Sequence, residues 1–412
     1  MSNQYDLIVI GGGPGGLMAA AESAGKGFRV LVLEKNGNPG KKLLVTGGGQ
    51  CNLTHEMPLT QFLTHYHEKA TFAGKSIRKF PPEALRLWFE KRGVPLEATE
   101  TGKVFPVSRK ASDVLNALLK QMNLAGVSLK CNFEVRTVSY QQHCFEVANE
   151  TDRYRSKNVL IATGGLSYPS LGSNGGGYRL AEKLGHRIIS PRPSLSSAVI
   201  RHFTVADLAG ISIPDASISL WRNHKKVSTY RGDLLITHEG VSGPVILNNA
   251  RHFLPGDLLK VNLVPPYDEE LYSVVFLEKL SISGKLMIKT ILSGEGIPRR
   301  LLERVLSLAE ISENQLCAGL NREKRKTLVK LMTGLPFEIE KVKGYEEAMA
   351  TAGGVATEDV NGSTMASRLV QGLFFAGEVL DVDGMTGGFN LQFAFSSGYA
   401  AATAVCEKQI PR

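Results

Sequence analysis

The chain has 412 residues, of which 43% are hydrophobic, and a formal net charge of +9. That length predicts more than one domain, and that apolar content excludes a disordered chain. No apolar run reaches the roughly 18 residues needed to cross a bilayer, and the start of the chain lacks the basic and apolar regions of a secretory leader, so a cytoplasmic protein with no membrane partner is expected.

The chain opens on a buried strand, Tyr5 to Ile10 (YDLIVI), followed by the glycine run Gly11 to Gly16. An Ala-rich helix from Leu17 to Gly25 and a second apolar strand, Phe28 to Leu33, come next, and the strand ends at Glu34. Strand, glycine turn, helix, strand and acid in that order make a βαβ unit. Gly11-x-Gly13-x-x-Gly16 is its dinucleotide fingerprint. The first glycine permits the tight turn, the second lets backbone approach a pyrophosphate, and the third lets helix pack on strand. The helix N-terminus then offers free N–H groups and a positive dipole end to phosphates. Glu34 stands 18 residues beyond Gly16, where a carboxylate accepts from ribose hydroxyls.

Further along, His65-Tyr66-His67 reads as a polar loop rather than a metal site, because no third ligand stands nearby. The five cysteines (Cys51, Cys131, Cys144, Cys317, Cys406) are scattered with no CxxC, which fits reduced thiols and argues against a disulfide scaffold, a zinc site or a paired-thiol redox centre. Ser112 to Leu124 reads as an amphipathic helix capped by its serine. Short alternating strands follow from Val127 to Val147, then a buried strand from Asn158 to Ala162 running into Thr163-Gly164-Gly165.

Composition shifts at Pro191-Arg192-Pro193. Beyond it come β-rich pieces at Ser196 to Ile200, Ala216 to Leu220, Lys226 to Tyr230, Leu234 to Thr237 and Leu258 to Leu263, a helical pattern from Glu269 to Leu331, and a returning strand from Pro336 to Val342. A strand that returns after helices predicts a helical piece inserted in a β-rich domain, itself inserted in the nucleotide-binding domain. The expected boundaries are 1–192, 193–268, 269–331, 332–344 and 345–412. Between Lys285 and Lys330 ten Lys and Arg face five Glu. Such a stretch is either a surface for anions or the solvated side of amphipathic helices. The chain closes with a buried strand, Gly372 to Gly377, and a small-residue helix, Asn390 to Cys406.

Three later features favour FAD over NAD as the resident dinucleotide. Thr163-Gly164-Gly165 lets backbone come close to a ligand. Gly372 to Asp383 (GLFFAGEVLDVD) puts a glycine and an acid after a strand. Thr386 to Asn390 opens a helix whose positive end suits a reduced flavin. Together they bring distant pieces of chain to one extended cofactor.

The runs Lys42 to Asn52 (KLLVTGGGQCN), Gly164 to His186, Thr237 to Leu247 (THEGVSGPVIL) and Ala348 to Gly398 carry a more specific signal. Through them the whole chain resembles the BaiN-type family of bacterial NAD(P)/FAD-dependent oxidoreductases, within the glutathione-reductase-like flavoprotein superfamily. The resemblance implies an α/β fold: a Rossmann-type FAD-binding domain with an inserted β-barrel-like domain that carries a small helical domain. It implies non-covalent FAD held at the pyrophosphate by Gly13, Pro14, Gly15 and Gly16, and at the adenosine by Glu34, Lys35, the backbone of Val135, Thr163 and Gly164. Lys42, Thr46, Gly48, Cys51 and Asn52 would line the pyrophosphate and flavin-ring region. Gly377, Asp383, Gly388, Phe389, Asn390 and Leu391 would surround the ribityl chain and ring. The chain departs from the family's pattern at Gln50, often basic in relatives, and at Gly176, often Asp.

Cys51 is either a flavin-side nucleophile or a small contact beside the ring. Tyr168, between a Gly-Gly turn and Pro169, either donates a proton to substrate or caps a loop. His238, in a Thr-His-x-Gly turn, either acts as acid or base across the flavin or is a hydrogen-bonded turn residue. The insert is expected to cover the flavin and shape the substrate cleft. Only one dinucleotide fingerprint is present, so NAD(P)H is expected as a transient donor in that cleft. The leading expectation is hydride transfer through FAD to an activated C=C of an apolar small molecule. The alternatives are an oxidase using O2 and a flavin-dependent RNA-binding or RNA-modifying protein. The stretch from Lys285 to Lys330 has no aromatic residue for base stacking, which weighs against nucleic acid.

Overall fold

A computed structural model describes residues 4–407. The chain forms two compact units, one running up to Ser194 and again from Tyr345 onward, the other spanning Leu195–Gly344.

The first unit is built on a seven-stranded sheet. Its parallel part runs Ser128–Lys130, Val30–Leu33, Gln4–Ile10, Arg153–Ile161 and Leu373–Phe375. Val30–Leu33 and Leu373–Phe375 are buried at every position, as a parallel strand covered on both faces must be. Arg153–Ile161 is long enough to serve two neighbours on one edge. Its first half pairs antiparallel with Cys144–Ala148, which extends the sheet to Thr137–Gln141, and its second half pairs parallel with Leu373–Phe375. The helix Pro14–Ala24 begins straight after the first strand, with proline in its first turn, where a missing N–H costs nothing. It packs on the last helix, Phe389–Glu407, at a crossing of small residues, since a Cβ on Gly398 would lie 2.2 Å from the Gly15 carbonyl oxygen. The exit and return strands of this unit, Ile188–Ser194 and Ala350–Val355, pair antiparallel with each other.

The second unit is a closed antiparallel barrel in the order Ala198–Ile200, Gly240–Ser242, Lys225–Ile236, Ser212–Arg222, Leu258–Asn262 and Leu335–Val342, the last strand pairing back to the first. Its core includes Ile218, Leu220, Leu234, Ile236, Leu259, Val261 and Phe337. Closure removes the edges that an open sheet of these strands would expose. The helices Glu269–Ile282, Ile288–Leu292, Arg299–Leu308 and Arg322–Gly334 sit between its fifth and sixth strands in chain order. Asp268 and Asn321 cap the first and last of these, accepting from Leu271 N–H and Lys324 N–H at 2.8 Å each.

Several local readings need correction. The helix at Ala111–Leu124 starts one residue before Ser112. Lys110 holds the extended cap position without a side-chain bond, so Ser112 lies inside the first turn. Lys226 to Tyr230 and Leu234 to Ile236 belong to one strand, Lys225–Ile236, which stops short of Thr237 and whose partner absorbs the interruption by a register shift between Ile213 and Ala216. His65 to His67 is more than a polar loop. It forms a kink between two short helical turns, with non-helical backbone at Tyr66 and His67, and it buries Tyr66, whose hydroxyl donates to the Phe389 carbonyl at 2.7 Å. A small antiparallel sheet, Thr54–His55, Lys103–Pro106 and Leu96–Ala98, with short helices between its strands, fills a region that the sequence left unassigned. No helix among the described residues is long and apolar enough to cross a membrane.

Candidate active site: a dinucleotide cleft

A cleft runs through the first unit beside the glycine turn, with an empty space of about 1350 Å³ counted to its open mouth. Gly13, Pro14 and Gly15 line it. A Cβ on Gly13 would meet no protein atom nearer than the Ala162 carbonyl oxygen at 4.0 Å, so the backbone there faces open cleft. Gly16 does not line it. A Cβ on Gly16 would lie 2.1 Å from the Gly11 carbonyl oxygen, which is the close helix–strand packing its place in the fingerprint calls for.

Glu34 and Lys35 form the next stretch of wall. One carboxylate oxygen of Glu34 accepts from the Gly12 N–H at 2.7 Å, and the other from the backbone and side-chain amides of Asn36 at 2.8 Å each. An ionised carboxylate offers about four acceptor positions, and these three bonds leave one for a ribose hydroxyl. Burial lowers the Lys35 pKa, against the neighbouring carboxylates Glu134 and Glu34, which raise it. Val135, Thr163 and Gly164 complete this end. An open glycine backbone, a helix N-terminus and a carboxylate with one free position fit the pyrophosphate and ribose of FAD.

Lys42, Thr46, Gly377, Asn390 and Leu391 also line the cleft. Asn390 clamps Gly384 with both ends of its amide, at 2.8 Å each way, and fixes the turn before the last helix. The positive end of that helix, at Asn390, therefore opens on the cleft.

The remaining candidates lie outside the lining. Gly48 sits in an exposed turn at φ +66°. Asn52 turns its amide to the Thr54 and Val104 carbonyls. Asp383 is buried and accepts from the Ser194 hydroxyl at 2.7 Å. Gly388 packs on the backbone of Thr54. Phe389 is a core residue stacked on His65 at 4.2 Å between centroids and tilted on Phe62 at 4.7 Å. Tyr168 is half-buried at φ +55°, and its N–H donates to the Tyr345 carbonyl at 2.8 Å. His238 lies exposed in the barrel unit, in the turn that the Thr237 N–H closes on the Gly240 carbonyl at 2.8 Å.

Cys51 is fully buried beneath the wall, and burial pushes its thiol up to about 12, with a Thr46 hydrogen bond pulling weakly the other way. A thiol in that state is not a thiolate nucleophile at neutral pH. Cys51→Ser is therefore expected to retain FAD and flavin reduction, and Cys51 to resist iodoacetamide in the folded protein. Loss of flavin reduction with FAD still bound is the contrary result.

The sequence reading missed Glu378, Asn36, Ser173 and Met349, all of which line the cleft. Glu378 was legible as the acid directly after Gly377. It accepts from Lys42 at 2.6 Å and from Ser167 at 2.6 Å.

The family model for the HI0933-like protein Rossmann domain matches residues 5–404. The chain is 32% identical to a ribosomal RNA dihydrouridine synthase of Haemophilus influenzae, over 98% of this chain and 99% of the relative. It is 30% identical to a 3-dehydro-bile acid delta(4,6)-reductase of Clostridium scindens, over 97% and 98%. Among solved structures, a 3-ketosteroid delta1-dehydrogenase from Sterolibacterium denitrificans shares the fold with a TM-score of 0.54 at 13% identity, covering 99% of this chain and 100% of that one. The chain belongs to the HI0933-like family, the BaiN-type flavoproteins, and is an FAD-dependent oxidoreductase.

Proposed function

We propose that this enzyme takes hydride from NAD(P)H onto FAD and delivers it to a C=C bond made electrophilic by conjugation with a carbonyl, in an apolar small molecule. One observation carries the C=C acceptor. Both full-length relatives above have names that describe saturation of such a bond, in a 3-dehydro bile acid and in a uridine of ribosomal RNA, and the apolar small molecule follows the first of them. Bound FAD supplies the two-electron relay between donor and acceptor. The protein's part is to hold the pyrophosphate at Gly13 to Gly15 and the ribose at Glu34. With a single dinucleotide fingerprint in the sequence, donor and acceptor use the flavin in turn.

The test is anaerobic stopped flow. NADH or NADPH should bleach the flavin, and a panel of cyclic enones should then reoxidise it at least tenfold faster than air-saturated buffer does. Reoxidation by O2 alone would favour an oxidase, and no bleaching by either nicotinamide would remove NAD(P)H as donor.

A second reading places the C=C in a base of RNA. It is favoured by Arg322, Lys326 and Lys330, which are exposed and four residues apart along the helix Arg322–Gly334. Like charges at this spacing cost a helix about 0.2–0.5 kcal/mol per pair, and a cation in the first turn opposes the dipole, so the ridge is unfavourable without an anion. The absence of aromatics does not count against contacts to phosphates alone. Reversing all three to Glu should lower RNA affinity and flatten its salt dependence while FAD content holds. Unchanged affinity would leave the small-molecule reading alone in place.

A further inference from the structure

In the wall of the cleft a cation and an anion are locked to each other. Glu378 follows the turn at Gly377, just after the strand Leu373–Phe375. One of its carboxylate oxygens accepts from the Ser167 hydroxyl at 2.6 Å and the Thr351 N–H at 2.9 Å, and the other from the Lys42 ammonium at 2.6 Å. Lys42 also donates to the Ser167 hydroxyl oxygen. The Thr351 hydroxyl accepts in turn from the N–H groups of Leu166 and Ser167, at 2.9 and 3.1 Å. A Cβ on Gly165 would lie 2.5 Å from the Thr351 hydroxyl oxygen and 3.0 Å from the Glu378 carboxylate, so the carboxylate is packed hard against that turn. Four separate segments of chain thus fix one ion pair. Both side chains line the cleft and are about one-fifth exposed, at 22% for Lys42 and 20% for Glu378.

A lysine alone beside a flavin favours the reduced, more negative form, and a carboxylate alone opposes it. Here the two charges cancel, and the low exposure keeps water from screening either one if its partner is removed. We propose that Lys42, Ser167 and Glu378 form a neutral clamp that sets the reduction potential of the bound flavin, with the charges of Lys42 and Glu378 offsetting each other. This goes beyond the proposed reaction and holds for any electron acceptor, because it concerns the FAD-binding cleft alone.

The clamp makes a signed prediction. Glu378→Gln keeps acceptors for Ser167 and Thr351 but leaves Lys42 uncompensated, so the midpoint potential should rise. Lys42→Met leaves Glu378 uncompensated, so it should fall. The double variant should return close to the wild-type value. Each single shift should be at least tenfold in the preference for reduced over oxidised flavin, which is about 30 mV for a two-electron couple. The measurement is a spectrophotometric redox titration of each holoenzyme against a dye of known potential, with FAD dissociation constants measured alongside. A merely structural contact would move both singles the same way or not at all, and either result overturns the proposal. Where a single variant fails to retain FAD, recovery of FAD in the double variant supports the coupling, and loss in all three overturns it.

Discussion

Gly13→Val should fold normally and emerge colourless. The expectation follows from where the new side chain goes. The nearest protein atom to a Cβ at this position is 4.0 Å away, so the protein itself accommodates the valine, which instead fills the space where backbone would meet the pyrophosphate. The loss should exceed a hundredfold in FAD affinity, or about 2.7 kcal/mol. Gly16→Ala is the contrasting variant from the same fingerprint. Its Cβ would sit 2.1 Å from the Gly11 carbonyl oxygen and 3.1 Å from a Val9 methyl, so it should cost the fold of the βαβ unit rather than the cofactor alone. Far-UV circular dichroism and the flavin-to-protein absorbance ratio separate the two outcomes. A yellow Gly13→Val protein with wild-type FAD content would show that the turn does not hold the pyrophosphate.

The difference between those glycines shows what a sequence can and cannot disclose. The βαβ unit was legible because strands such as Val30–Leu33 are buried on both faces and must read as unbroken apolar runs. Five of the six barrel strands were legible as β-rich pieces because one face of each is buried, though Lys225–Ile236 looked broken where its partner shifts register, and the three-residue strand Gly240–Ser242 was read only as part of a turn. The sheet formed by Thr54–His55, Lys103–Pro106 and Leu96–Ala98 was not legible, because strands of two to four residues are too short to show a period. At the site, a motif reveals which residues gather but not which of them face the ligand. Asp383 and Glu378 stand in the same acidic run. The first turns inward to Ser194, and the second lines the cleft on Lys42. Likewise Gly388 and Phe389 build the support beneath the cleft, while Asn390 and Leu391 open on it. That division depends on which way the first turn of the last helix faces, and the contacts that decide it come from Thr54 and Tyr66, more than three hundred residues earlier in the chain.

Gly388→Ala should therefore destabilise the protein strongly and release FAD, although Gly388 does not line the cleft. At φ +98° an L-residue is already strained by roughly 1–2 kcal/mol. The added Cβ would also lie 2.7 Å from the N, Cα and O atoms of Thr54, and neither backbone can swing aside as a flexible side chain would. Relief requires the turn to lift away from Thr54, which drags the start of the helix Phe389–Glu407 with it and displaces Asn390 and Leu391 from the wall. Gly48→Ala is the matched control. Its φ of +66° is also positive, but no atom lies within 4 Å of the new Cβ, so only the backbone cost of about 1 kcal/mol applies. Thermal melts should place Gly388→Ala several degrees below Gly48→Ala, and flavin release on dilution should be marked only in the former. Equal melting temperatures for the two variants would mean that the Thr54 strand yields freely, and that the start of the last helix is held by Tyr66 and Asn390 rather than by the contact at Gly388.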